Sequence, residues 1–153
     1  MPNTSERTFI IIKPDGVQRN FIGKIVQRFE ERGYKLVGMK LVCASKDHWE
    51  FHYQDLKESP FFPDLIKYLQ SGPVVAMVWE GLDAIRQGRA MLGSNPLYSN
   101  PGTIRGDYCT QTGHGSVIHG SDSVDASNRE ISHWFKQDEL VDYELANKCW
   151  LYE

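Results

Sequence analysis

Gly72-Pro73-Val74-Val75-Ala76-Met77-Val78-Trp79 carries the strongest strand signal in the chain. A Gly-Pro break opens a run of apolar, often β-branched residues with no polar interruption, the pattern of a strand covered on both faces. Thr8-Phe9-Ile10-Ile11-Ile12 has the same character and predicts a second interior strand. Between them, Ile22, Ile25, Val26 and Phe29 fall at i, i+3, i+4 and i+7, predicting an amphipathic helix that stops at Gly33. Residues 34–43 alternate well enough for another strand, and helical patterns return over 47–56 and 61–69, punctuated by Pro60 and Pro63. Residues 82–92 predict a further helix. Residues 93–115 have no period but contain Pro96, Pro101 and glycines at 93, 102, 106, 113 and 115. A loop of that length in a compact domain is usually functional or disordered. Because it carries Arg105 and leads into His119, it reads as functional. A short apolar run (Val117, Ile118) and a helix bearing Ile131, Trp134 and Phe135 complete the order. This succession predicts an α/β (α+β) fold: a small mixed sheet with helices packed on one face, compatible with a ferredoxin-like βαββαβ core.

The chain of 153 residues suits a single domain with one core. With Lys+Arg 17 against Asp+Glu 20 the net charge is -3, which excludes a global basic field and argues against nucleic-acid binding as the main role. Any anion site must therefore be built locally. Cys43, Cys109 and Cys149 are odd in number and widely spaced, which argues against a disulfide framework and a zinc site and suits a reducing compartment. The first residues are polar and no run approaches a signal core or membrane span, so the expectation is cytoplasmic, with no membrane partner.

In Ile118-His119-Gly120-Ser121-Asp122 a histidine leaves an apolar run beside a glycine and small polar residues. It reads either as a strand end turning into a helix cap or as a nucleophile with no side chain beside it to obstruct a large anion. Glu130 sits on the border of a helical apolar face, where its carboxylate can fold back to orient the imidazole, with Ser121 offering a hydroxyl; this is triad logic with nitrogen attacking. Lys13 lies at the mouth of the first strand, where Pro14 bars the helical conformation and Pro14-Asp15-Gly16 has turn chemistry. Together Lys13, Arg89 and Arg105, with hydroxyls at Ser94 and Thr103, make a polyphosphate clamp around His119. The G-x-x-x-x-G-K-[ST], kinase glycine-loop and G-x-G-x-x-G motifs are all missing. His48 and His52 are spaced i, i+4, a metal-gripping interval without a third ligand, and read as solvent-facing helix residues. Phe61 and Phe62, near Tyr53, are either core aromatics or a base-stacking platform.

Four segments together resemble the nucleoside diphosphate kinase family: 13–19 (KPDGVQR), 71–81 (SGPVVAMVWEG), 101–107 (PGTIRGD) and 119–123 (HGSDS). The resemblance runs from about Arg7 to Glu153. It implies a ferredoxin-like four-stranded antiparallel sheet covered by helices, and a ping-pong phosphotransferase. A phosphohistidine on His119 would carry the γ-phosphoryl of ATP or another NTP to an NDP. It further implies that Glu130 and Ser121 orient His119, that Lys13 and Tyr53 lie beside the transferring group, that Arg89 and Arg105 hold phosphates, and that Phe61 stacks on the base. Mg²⁺ would ride on the nucleotide, with Asp122 at most reaching it through water. Family members with a tail like Trp150-Leu151-Tyr152-Glu153 are hexamers.

The sequence departs from the family pattern twice. Segment 91–96 is one residue shorter than usual, leaving Ser94 where a phosphate-binding threonine is expected. Segment 113–116 is one residue longer, and Ser116 replaces a sugar-contacting asparagine. A hydroxyl is shorter than a carboxamide and cannot donate twice. The expectation is an active enzyme with a raised KM or altered sugar preference. The rival reading is a catalytically weakened family member retained as an oligomeric binding or scaffold protein.

Overall fold

The computed structural model describes residues 2–93, 98–110 and 116–153. Its centre is a four-stranded sheet in the order β2-β3-β1-β4, built from β1 (Glu6–Ile12), β2 (Lys35–Val42), β3 (Val74–Gly81) and β4 (Ile118–Gly120). Every pairing is antiparallel, so the mixed sheet expected above is corrected. β1 and β3 occupy the middle, which is why both are continuous apolar runs. The interior order follows from the βαββαβ connections, because each helical crossover skips a strand.

Helices cover both faces of the sheet, not one. Ile10 and Ile12 of β1 point toward α2 (Ile22–Arg32) and α5 (Ala84–Leu92), in a core with Ile25, Phe29, Trp79 and Leu92. Phe9 and Ile11 point the other way, into Trp49, Leu65, Ile131 and Trp134 from α3 (Lys46–His52), α4 (Phe62–Leu69) and α7 (Val124–Trp134). The alternation of side chains along a strand requires this, since an unbroken apolar run leaves two greasy faces to bury.

Local chemistry sets several boundaries. α2 ends as expected at Gly33, whose φ of 97° is the left-handed cap conformation. Pro14-Asp15-Gly16 is not a free turn: Lys13 is extended (φ -73°, ψ 169°) and Pro14 is the first residue of α1 (Pro14–Gln18). Proline bars helix at the residue before it yet suits the first helical position, so the same residue that ends β1 starts α1. Within the stretch 93–115, α6 (Ile104–Tyr108) is capped by the Thr103 hydroxyl, which accepts from Gly106 N at 2.9 Å. Five residues are too few to leave a periodic signal. Segments 94–97 and 111–115, and with them Ser94 and most of the altered loop before Ser116, lie outside the described residues.

After α7 the chain returns along β2. Val141 N donates to Val37 O at 2.9 Å and the Tyr143 hydroxyl to Leu36 O at 2.6 Å, beside the register shift between Leu36 and Gly38. The last helix, α8 (Lys148–Leu151), lies against Gly33. Among the described residues no helix is long and apolar enough to cross a membrane.

Gly106 fixes the approach of α6 to the preceding loop: a Cβ there would lie 2.0 Å from the Asn100 carbonyl oxygen. Backbone cannot swing aside as a side chain does, so Gly106→Ala is expected to cost about 1–3 kcal/mol. A urea midpoint lowered with unchanged slope measures it; an unchanged midpoint refutes the contact.

Candidate active site

His119 lies in β4 opposite Ile11 of β1, with Ile118 and Gly120 on either side. Period-two alternation sends Ile118 into the core beneath α5 and turns His119 to the opposite face, toward α3 and α7. Gly120 lines the opening over His119, and its bareness has a packing role besides. A Cβ there would meet Leu92 and Ile10 at 3.0 and 3.2 Å, so its bareness serves strand-helix packing.

The imidazole is held from behind. His119 Nε2 lies 2.9 Å from Glu130 Oε2, and the Ser121 hydroxyl donates to Glu130 Oε1 at 2.5 Å. Glu130 is only 5% exposed and Ser121 is fully buried. The carboxyl group is therefore not at the border of the α7 apolar face but inside it, where its oxygens must be occupied by donors. With Nε2 facing the carboxylate, Nε2 carries the proton and Nδ1 carries the free lone pair.

Three cations gather beside this pair. Lys13 Nζ donates to Ser116 Oγ at 2.6 Å; Arg105 donates to Gly93 O at 2.8 Å and to Ile118 O at 2.7 Å; Arg89 donates to Gly120 O at 3.1 Å. These partners are a hydroxyl and carbonyls, so the charges themselves are not neutralised by these bonds. Burial, followed by the nearby Arg105 charge, lowers the Lys13 amine to about 8. Burial and then Arg89 lower Arg105. Desolvated cations that depress one another are a feature more often found at functional sites than in packing alone.

Val117 supports the Lys13-Ser116 contact. Its φ is 65°, in the left-handed region that a β-branched residue resists. Ile118 N closes back on Ser116 O at 2.6 Å, Lys13 N donates to Val117 O at 2.7 Å, and Asp15 Oδ2 accepts from Val117 N at 3.1 Å. Tyr68 donates to the other oxygen of Asp15. A conformation of this kind costs about 1–3 kcal/mol and persists only where its surroundings over-determine it, as these bonds do.

A cleft of about 340 Å³ opens over His119, lined by His52, Tyr53, Arg89, Asp122, Arg129 and Glu130 among others. The Tyr53 and His119 rings lie 5.8 Å apart, and burial, then Glu130, pushes the Tyr53 hydroxyl up so that it stays a neutral donor. The adjoining cleft of about 360 Å³ is lined by Arg89, Gly93, Tyr98 and Thr103. Phe61 is 48% exposed at the start of α4 and does not line the cleft over His119, whereas Phe62 is core. Asp122 is exposed at the rim.

His48 and His52 do not face solvent. His52 is 5% exposed and stands 4.8 Å from the His119 ring; His48 is half-buried, stacked on His133 at 3.7 Å. The usable signal for His52 was its position three residues after Trp49 and four before Leu56, the spacing of an apolar helix face. His52, His119 and Glu130 bring their ligand atoms within 4.8 Å of one another.

The family model described as nucleoside diphosphate kinase matches residues 6–140. A nucleoside diphosphate kinase of Brugia malayi is 60% identical over 154 residues, covering the whole of both chains. Nucleoside diphosphate kinase B of Homo sapiens is 60% identical over 149 residues, 97% of each chain. Among solved structures, a halophilic nucleoside diphosphate kinase from Halobacterium salinarum in complex with CDP superposes with a TM-score of 0.94 at 48% identity, covering 97% of this chain and 99% of its own.

The electrostatics of Lys13 can be read directly. Its amine should titrate near 8 in a ¹⁵N experiment, cationic below that pH and neutral above, with a higher midpoint in Arg105→Leu. A wild-type midpoint near the ordinary 10.5 would refute the clustering of cations.

Proposed function

This chain belongs to the nucleoside diphosphate kinase family, and we propose that His119 is the residue on which it carries the phosphoryl group. It is an enzyme that transfers the γ-phosphoryl of a nucleoside triphosphate to a nucleoside diphosphate. The observation that carries the residue assignment is the His119 Nε2 contact with Glu130 at 2.9 Å, which leaves the Nδ1 lone pair as the nucleophile. In the first half-reaction Nδ1 forms a bond to the γ-phosphorus as the bond to the β-phosphate oxygen breaks, and the electron pair leaves on the diphosphate. The second nucleotide's β-phosphate oxygen then attacks the same phosphorus, and the N–P bond electrons return to Nδ1. The ring keeps its Nε2 proton throughout, with Glu130 opposite the charge that develops, and Ser121 holds Glu130.

Lys13, Arg89 and Arg105 hold the phosphates. Such transfer is catalysed mainly by positioning and charge neutralisation, which is what a cluster of desolvated cations supplies. Tyr53 donates toward the transferring group. Phe61, 48% exposed at the start of α4, offers the base a face without reading its edge. Ser94 contributes a phosphate hydroxyl. Mg²⁺ enters on the nucleotide as part of the substrate and spreads the phosphate charge; the hard carboxylate of Asp122 fits water-mediated contact with it.

Ser116 combines two demands. Its hydroxyl already accepts from Lys13, so any contact it makes with the sugar is coupled to the lysine proposed to hold phosphate. Residues 1–153 act as one unit, assembled as a homo-oligomer, by resemblance to the family a hexamer. Supporting this are Met39 and Leu41 on the edge strand β2, beyond the part covered by Val141 and Tyr143, 43% and 64% exposed, and Trp150, 88% exposed. Three free cysteines suit the cytoplasm. No observation favours a scaffold or nucleic-acid role over catalysis.

Incubation with γ-labelled ATP should give an acid-labile, base-stable phosphoenzyme that discharges onto added diphosphate, and His119→Ala should give neither. A wild type that forms no phosphoenzyme overturns the reading. Ser116→Asn should change nucleotide affinity or the deoxy-to-ribo preference several-fold, the equivalent of about 1 kcal/mol for one hydrogen bond; unchanged constants would remove Ser116 from substrate recognition.

A further inference from the structure

Behind Glu130 lies a buried group that the phosphoryl-transfer steps above do not use. Trp134 Nε1 donates to His52 Nδ1 at 2.9 Å. An indole N–H can only donate, so His52 Nδ1 must present its lone pair, and the neutral ring then carries its proton on Nε2. That Nε2 is buried and has no full hydrogen-bond partner among the described residues; its nearest carboxylate atom is Glu130 Oε2 at 3.5 Å, the oxygen that also faces His119.

We propose that His52 is a positioning residue for His119: locked by Trp134 as the Nε2–H tautomer, it sets that N–H 3.5 Å from the same Glu130 oxygen that accepts from His119. The inference rests on the phosphohistidine reading above. When Nδ1 bonds to phosphorus, the ring retains its Nε2 proton and takes up positive charge. A more basic Glu130 would draw that proton away and leave a neutral phosphoimidazole, a poorer donor to the second nucleotide. The His52 N–H, 3.5 Å from Oε2, adds positive potential beside that oxygen, which favours leaving the proton on His119. Burial, then the neighbouring His119, holds the His52 pKa well below the usual imidazole range, consistent with a neutral ring.

The same tautomer argument bears on the metal-like composition of His52, His119 and Glu130. Coordination through His52 Nε2 would need its proton moved to Nδ1, where it would meet the Trp134 N–H head on. The cluster is therefore a proton-holding device and not a metal cage.

Imidazole ¹⁵N spectra of the whole protein near neutral pH should show His52 neutral with its proton on Nε2, and the Nδ1 resonance should shift in Trp134→Phe. A cationic His52, or one protonated on Nδ1, overturns the proposal. His52→Leu should slow both half-reactions roughly tenfold to a hundredfold with little change in nucleotide KM. His52→Gln should restore much of the rate, because its carboxamide both accepts and donates. Trp134→Phe should be slowed similarly, and the double variant His52→Leu/Trp134→Phe no further than either single one. Losses that multiply, or a folded His52→Leu with wild-type rates, overturn the proposal alone. A wild type without a His119 phosphoenzyme overturns the functional reading and this role with it.

Discussion

One buried carboxyl group organises the centre of this protein. Glu130 projects from α7 into the space between the sheet and α3, and its two oxygens face Ser121, His119 and His52. A carboxyl group so deep in the protein is tolerable only with its oxygens occupied, and leaving a buried polar group unsatisfied typically costs about 1–3 kcal/mol, more for a charged one. The demand runs in both directions. Glu130 needs donors, and satisfying it fixes the orientation of the ring proposed as nucleophile. The same α7 buries Ile131 and Trp134 against Phe9, so the helix that positions the acid is anchored in the core.

The opposite wall of the site is built by electrostatic frustration. Lys13, Arg89 and Arg105 are brought together on hydroxyl and carbonyl acceptors, and both burial and mutual repulsion depress Lys13 and Arg105. Such an arrangement is electrostatically unfavourable as it stands, which is what supports the proposed phosphate-holding role. The strained Val117 belongs to the same account. Backbone strain and unpaired charge are kept where a ligand repays them, while continuous apolar strands supply the stability elsewhere.

Much of this was legible in the sequence. The two central strands, the amphipathic α2 and its Gly33 stop are local signals, written in periodicity and in residues with special backbone freedom. His119, Lys13, Arg89, Arg105 and Glu130 were legible as chemistry-bearing residues, and their motifs as a family resemblance. What misled was local reading of features whose cause is non-local. Pro14-Asp15-Gly16 has turn chemistry, yet β1 and the Val117 loop give it a helix to start. Gly120 suggests room for an anion, and that reading misses that Leu92 and Ile10 need its bareness too.

The chain by itself determined which residues are apolar, where the longer strands and helices lie, and which groups can attack, donate or carry charge. Tertiary structure alone decided which face each crossover helix covers and which side of β4 His119 occupies. It also turned His52 from a surface histidine into a buried neighbour of Glu130. The physical reason is range. Periodicity and capping act over a few residues, whereas the Trp134-His52 bond spans 82 positions and the Lys13-Ser116 bond 103. Protonation state, tautomer and charge clustering depend on such contacts, and no local pattern encodes them.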